Sequence, residues 1–305
     1  MHPIQIIQQT AMPTPVMVLD DDAHVPGAKI NVLYLAPGHE IIRPAQIPAE
    51  ETKTVGIQGG ASISKLSPSM LVKWGTHVSL IEAKTMLFVA KETSIPIPTL
   101  YAAYTYGPLD RDVDDFGSQY DTYLFMASVE GETLERCWPT LDAATKSQIS
   151  SELKTSIDQL RSIPAPNYIG SVDDGIVTDM ILEWSRGSKG PFASEEEFNA
   201  TIADAYIAKA KGHVGPFIRG MLSSIKHQIR FAHGDFRPPN IIIQNGHVAG
   251  ILDWELGGWY PEYWDFVKAF YLEHFVTDWP VYLLGILEPY YPEQAIHSKL
   301  TDVLW

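Results

Sequence analysis

The chain has 305 residues, 45% of them hydrophobic, enough to bury one large core or two modest lobes. Its 37 acidic against 22 basic residues leave a formal net charge of −15. That balance speaks against nucleic acid or an anionic membrane as a partner, since both reward clustered Lys and Arg, and it mildly favours a cationic small molecule. The single cysteine, Cys137, excludes an internal disulfide and fits a reducing, cytoplasmic setting. The first thirty residues lack a basic start followed by an apolar core, and no apolar run reaches membrane-span length. The expectation is a soluble cytoplasmic monomer.

Residues 1–50 are rich in proline and carry an acidic cluster at Asp20-Asp21-Asp22. They read as an extension draped on the body, with a short strand at residues 32–35. From Val55 the pattern turns to short strands. Residues 63–66 and 70–74 flank a Ser67-Pro68-Ser69 turn. Residues 78–91 read as a helix, and 100–106 and 120–126 as strands separated by an acidic loop at 109–115. After Glu130-Gly131-Glu132 the pattern is mainly helical. Ile149, Leu153, Ile157 and Leu160, for example, recur at spacings of four, four and three. The fold class is therefore α+β in two lobes: a β-rich N-lobe at 51–127 and a larger helical C-lobe at 128–305. A linker near residues 127–132 would border a cleft for a ligand.

Within the N-lobe, Lys73 ends an apolar strand, where a lysine is costly to bury unless paired. Glu82 shares a helical face with Met86 and Val89, which turns its carboxylate toward that strand and makes it the natural partner. Kinases use such a pair to aim the lysine at the α- and β-phosphates of a nucleotide. Alternatively, Lys73 snorkels outward and Glu82 is solvated. Gly59 and Gly60 precede these strands, where a close backbone approach to phosphates is one role and a plain tight turn the other.

The most informative segment is His233-Gly234-Asp235-Phe236-Arg237-Pro238-Pro239-Asn240, with Asp253 thirteen residues after Asn240. Between them, two β-branched runs meet at Asn245-Gly246, the signature of a hairpin with a type I′ turn. Counting outward from the turn pairs Ile243 with Val248, Ile241 with Gly250 and Asn240 with Ile251. Asp253 then falls on the same rim as Asn240. Two oxygen ligands at a hairpin mouth suit Mg2+, which shares its remaining positions with water and phosphate. An aspartate five residues before Asn240 is placed to orient an attacking hydroxyl, so Asp235 reads as the catalytic carboxylate. Asp265 would accept hydrogen bonds from this loop, or be an ordinary acid at a helix N-terminus.

At these residues the chain resembles the aminoglycoside phosphotransferase family, in particular its large fungal branch, over residues 62–292. The strings that carry the likeness are Leu71-Val72-Lys73-Trp74-Gly75, Thr93-Ser94-Ile95-Pro96-Ile97-Pro98, Glu130-Gly131-Glu132-Thr133-Leu134, His233-Gly234-Asp235, Gly250-Ile251-Leu252-Asp253-Trp254-Glu255 and Gly258-Trp259-Tyr260-Pro261-Glu262-Tyr263-Trp264-Asp265. The resemblance implies a protein-kinase-like fold and ATP- and Mg2+-dependent transfer of the γ-phosphate to a hydroxyl of a small molecule, with GTP left open as donor. It further implies Met126 at the back of the nucleotide pocket and the backbones of Ala127 and Val129 against the base. His233 becomes a brace for the loop. Phe236, Arg237 and Pro239 depart from the commoner fungal string His-Gly-Asp-Leu-His-Pro-Arg-Asn, so that Arg237 and Pro239 either tune which acceptor is taken, with Arg237 a candidate for acceptor contact, or mark relaxed catalysis. Trp254 and Glu255 are candidates for acceptor contact because they directly follow Asp253. Trp259, Tyr260, Tyr263, Trp264, Phe270, Tyr271 and Trp279 read mostly as core. Two other functions stay open: a kinase-like binding or scaffold protein, and a kinase-like fold reused for a non-phosphoryl biosynthetic step.

Overall fold

The computed structural model of the chain describes residues 16–21, 25–48, 52–55, 60–182, 185, 187, 189–210, 214–222, 226–270 and 277–304. It divides into two compact units, Met1–Leu87 with Pro98–Val129, and Phe88–Ile97 with Glu130–Trp305.

The first unit is built on one antiparallel sheet. Its strands are β1 (Met17–Asp20), β2 (Lys29–Leu35), β3 (Thr52–Val55), β4 (Ala61–Ser67), β5 (Met70–Gly75), β6 (Leu100–Gly107) and β7 (Asp121–Ala127). They run in the order β1-β2-β6-β7-β5-β4-β3. Helix α1 (Leu80–Glu92) follows β5, and the four-residue helix α2 (Val113–Phe116) lies between β6 and β7. Ile30, Val32, Val72, Tyr104, Tyr123 and Phe125 bury one face of the sheet. Pleating then sends Lys73, the residue after Val72, to the opposite face.

Residues 1–50 are more than an extension: β1 and β2 belong to the sheet, β2 pairing with β6 from Lys29↔Gly107 to Leu35↔Ala102. The residues after β2 do lie draped on that core. Ile41, Ile42 and Ile47 pack against it, and Tyr104 donates its hydroxyl proton to the Ile42 carbonyl at 2.7 Å. The acidic loop at 109–115 is also more ordered than a solvated excursion, because Asp112 caps α2 by accepting from the Asp114 N–H at 2.8 Å.

The second unit contains β8 (Glu132–Thr133), α3 (Leu134–Cys137), α4 (Ala143–Ser162), α5 (Glu195–Ala210), α6 (Gly215–Leu222), β9 (Ile229–Ala232), β10 (Ile241–Gln244), β11 (His247–Ile251), β12 (Gly258–Pro261), α7 (Trp264–Ala269), α8 (Trp279–Ile286) and α9 (Tyr291–Leu304). Asp142 caps α4, whose buried face carries Ile149, Leu153, Ile157 and Leu160, as their spacing predicts. Phe198, Ile202, Tyr260, Trp264 and Leu300 belong to one core that α5, α7 and α9 share. Residues 88–97 group here and not with the N-lobe residues around them in sequence. Phe88 packs its ring on Phe231 and Trp259 at 5.2 and 5.8 Å, and Ile251 donates to the Pro96 carbonyl at 2.8 Å. Residues 88–97 thus lie outside the N-lobe expected at 51–127, and the first unit runs on past the expected 127/128 boundary to Val129.

Candidate active site

The hairpin of the second unit sets the site. Asn245 and Gly246 both have positive φ, 53° and 79°, as a type I′ turn requires. Ile243 pairs with Val248 as counted from the turn, but Ile242, not Ile241, faces Gly250, and Ile241 faces Ile251. The expected register is thus wrong by one residue beyond Val248, because a β-bulge leaves Ala249 as an extra residue on β11. Its consequence for the site is small. The Leu252 N–H donates to the Asn240 carbonyl at 2.8 Å, so Asp253 still follows directly on the paired end beside Asn240. Asp253 adopts φ 63° and ψ 64°, a left-handed conformation uncommon for a residue with a side chain.

The segment that leaves β9 is braced from within the protein. His233 is fully buried; its Nδ1 accepts from the Asp235 N–H at 3.1 Å, and its Nε2 lies 3.0 Å from the Leu252 carbonyl. A ring nitrogen that accepts carries no proton, so the imidazole is the neutral Nε2–H tautomer. Burial pushes its pKa down, against the pull of the Asp265, Asp235 and Asp253 charges. Asp265, also buried, accepts from the N–H groups of His233 at 3.4 Å and Gly234 at 3.0 Å. Burial raises its pKa, with the Gly234 hydrogen bond opposing. Gly234 has φ +81°, and a Cβ there would stand 2.5 Å from the Leu256 carbonyl oxygen, so only glycine makes this turn.

Asp235 emerges from this brace with its carboxylate engaged on both oxygens. Arg237 holds it as a fork: Nε donates to Oδ1, and Nη2 donates to Oδ2 at 2.6 Å. Asn240 Nδ2 donates to the same Oδ2 at 2.7 Å and to the Asp235 carbonyl at 3.0 Å. This ties down the amide nitrogen of Asn240 and leaves Oδ1 as its acceptor end. That oxygen and the Asp253 carboxylate are both hard oxygen donors next to the hairpin mouth, and are the residues that could hold a divalent cation such as Mg2+. A carboxylate oxygen of Glu255 lies within 4.8 Å of one from Asp253. Glu255 thus stands beside the donor pair, a placement its expected role in acceptor contact did not anticipate.

Trp254, expected against the acceptor, is instead 0% exposed, packs on His233 at 4.4 Å between ring centroids, and donates Nε1–H to the Ile251 carbonyl at 2.9 Å. Trp259, Tyr260, Tyr263, Trp264 and Trp279 are buried as core. Tyr271 lies outside the described residues.

In the first unit, Lys73 Nζ donates to Glu82 Oε2 at 2.8 Å, with side-chain exposures of 13% and 3%. The strand's pleat and the turn into α1 bring the two together. Gly60 accepts from the His77 N–H at 2.9 Å, and a Cβ on it would fall 2.0 Å from the imidazole Nδ1; Gly59 lies outside the described residues. Met126 is 7% exposed in β7. The Ala127 N–H is committed to the Thr99 carbonyl at 2.9 Å, and the next N–H, of Ser128, to Ser69 at 3.0 Å. The Ala127 backbone can therefore offer a base only its carbonyl.

The pairing of Arg237 with Asp235 is not legible in the sequence. Opposite charges two residues apart are the available signal, but outside a helix or strand that spacing fixes no direction.

A family model described as phosphotransferase enzyme family matches residues 79–296. No curated protein sequence matches the chain. Among solved structures it is similar to the ADP-bound aminoglycoside phosphotransferase APH(2'')-Ib, at 16% identity and a TM-score of 0.54, covering 83% of this chain and 81% of that one. The streptomycin–ATP ternary complex of APH(2")-IIa is similar at 15% identity and TM-score 0.51, covering 84% and 83%. An aminoglycoside-3'-phosphotransferase of type VIII matches at 16% identity and TM-score 0.51, covering 84% and 94%. These likenesses show the protein-kinase-like fold. Because the family model spans more than half of the chain and includes the whole braced segment from His233 to Asp265, the chain belongs to the phosphotransferase enzyme family.

Proposed function

We propose that the chain is an ATP- and Mg2+-dependent phosphotransferase that moves the γ-phosphate to a hydroxyl of a small molecule. The observation that carries this reading is the gathering of Asp235, Asn240 and Asp253 at one hairpin mouth, with Asp235 held by its neighbours at 2.6 to 2.7 Å. In the second unit, Asn240 and Asp253 would hold Mg2+, with Glu255 beside them. The metal, when bound, supplies positive charge against the phosphate oxygens. Asp235 would accept the hydrogen bond of the acceptor hydroxyl and take its proton. His233 and Asp265 hold the loop so that this carboxylate needs no rearrangement.

In the first unit, the Lys73–Glu82 pair would direct a fixed cation at the nucleotide phosphates, with Gly60 in the turn nearby. The Ala127 carbonyl and the Val129 backbone would meet the base beside Met126. Transfer is then mainly positioning and charge neutralisation. The chain's charge of −15 and the streptomycin in a similar structure support a cationic acceptor.

The test is transfer of label from γ-labelled ATP to a library of hydroxylated metabolites, with and without Mg2+. The chain should transfer to at least one acceptor and lose this with Asp253→Ala. Undiminished, metal-independent transfer by Asp253→Ala would overturn the metal assignment.

A further inference from the structure

An ionised carboxylate offers about four lone-pair sites, two on each oxygen. At Asp235, Arg237 Nη2 and Asn240 Nδ2 both donate to Oδ2, while Arg237 Nε donates to Oδ1. Oδ2 is then fully engaged, and Oδ1 keeps one site. The fork also fixes the plane of the carboxylate, because the two parallel N–H groups of a guanidinium match the two oxygens of a carboxylate. Arg237 is a secure partner: its hydrogen bonds to Asp235 hold its pKa above the ordinary value despite burial, so it stays charged at any working pH.

From this geometry we propose that Arg237 is a positioning residue for phosphoryl transfer, acting through Asp235 to leave Oδ1 as the one atom open to the acceptor hydroxyl. The inference rests on the phosphotransferase reading above. In the step it serves, the acceptor oxygen forms a bond to the γ-phosphorus. The bond from that phosphorus to the bridging oxygen breaks, and its electron pair leaves on ADP. The hydroxyl proton passes to Oδ1 of Asp235 and then to water. Arg237 contributes twice. It holds the accepting lone pair in one direction, and it offsets the carboxylate charge that would otherwise repel the incoming phosphate. A lysine at this position would restore the charge but not the fork.

The probe is Mg·ATP with water as acceptor, followed as phosphate release under single turnover and steady state. Arg237→Ala should lower kcat by about 10²-fold while KM for ATP moves less than about threefold, since the loss falls on the reacting geometry and not on ground-state binding. Arg237→Lys should fall between Arg237→Ala and the unaltered chain. In an Asp235→Asn background the same Arg237→Ala change should alter the residual rate by less than about twofold, because the partner through which it acts is already lost. Arg237→Gln keeps the side chain's bulk and replaces Arg237→Ala if that variant does not fold.

Three results would overturn the inference. One is unchanged turnover in Arg237→Ala or Arg237→Gln. Another is a loss carried by KM alone. The last is an undiminished effect in the Asp235→Asn background, which would mean that the guanidinium acts on the phosphate directly. Turnover that Asp235→Asn abolishes but Arg237 does not affect sinks this inference and leaves the phosphotransferase standing. Absence of Mg·ATP turnover with water and with every acceptor sinks both.

Discussion

The imidazole Nδ1 of His233 accepts a hydrogen bond from the backbone N–H of Asp235, 3.1 Å away, so the ring holds the residue proposed to orient the acceptor hydroxyl. The other nitrogen of the ring faces the Leu252 carbonyl at 3.0 Å, immediately before Asp253. One buried side chain thus ties the Asp235 loop to the strand end that leads into Asp253. His233→Phe would preserve the packing on Trp254 and leave both backbone groups without the ring's bonds. Each such group costs about 1–3 kcal/mol when buried. Urea unfolding should show a loss of about 2–6 kcal/mol, with turnover falling more than stability alone explains. Equal unfolding free energies for the two proteins would remove the brace from the account.

Protonation should weaken the fold through the same kind of residue. His297 is buried, and burial, with the nearby Lys268 and His227 charges adding to it, pushes its pKa down to about 3. His233 is lowered too, chiefly by burial. For such groups the unfolded chain takes up a proton near pH 6.5, where the folded chain does not. Their contribution is complete above about pH 6.5 and is lost as pH falls toward the folded value, about 3 for His297. Asp265, raised by burial, works in the opposite sense: it favours the folded state at acid pH and loses that contribution as pH rises through its folded value. Between pH 6.5 and 4.5, the unfolding free energy should drop by on the order of 1 kcal/mol per pH unit on account of His297, and His233 acts in the same direction. In His297→Asn the slope should be shallower; an identical slope would show that this residue does not titrate as described.

Gly234 should tolerate no side chain. At φ +81°, with the Leu256 carbonyl oxygen 2.5 Å from where a Cβ would sit, Gly234→Ala must either strain the backbone or move the loop. A destabilisation of about 2–4 kcal/mol is expected. Turnover should fall even in the folded fraction, because Gly234 N–H is one of the two donors that hold Asp265. A variant with native unfolding free energy and native turnover would refute this.

The legible parts of the sequence were those in which chemistry demands particular residue types at short range. The Asp235, Asn240 and Asp253 set could be found because Asn245-Gly246 dictates a hairpin, and a hairpin forces its ends together. Lys73 and Glu82 could be paired because a strand and the following helix leave few directions for each. The misreadings had equally physical causes. Ala249 bulges within a run of small apolar residues, where alternation carries no mark of an extra residue. The β2–β6 ladder joins Lys29 to Gly107 across a long stretch of chain, and local pattern says nothing about such a partner. Trp254 looked available because it follows Asp253, but the left-handed turn at Asp253 leads into a helical turn whose indole is buried against His233. Arg237 was visible as a charge, while its direction depended on a loop that no period describes.

The Lys73–Glu82 pair separates stability from function most cleanly. Glu82 is 2% exposed, so removing the cation 2.8 Å from it leaves a buried carboxylate short of compensation. Lys73→Met should cost about 3–5 kcal/mol in urea unfolding, an upper range because Lys73 retains 13% exposure and some access to water. Lys73→Met combined with Glu82→Leu replaces the pair by apolar groups of similar length and should recover most of that loss, since a buried ion pair contributes little net stability over a packed hydrophobic pair. Turnover should not recover. If the lysine directs charge at the nucleotide, both variants should turn over Mg·ATP about 10²-fold more slowly than the unaltered chain, the scale on which a fixed charge donor contributes to transfer. Recovery of both stability and turnover in the double variant would make the pair purely structural.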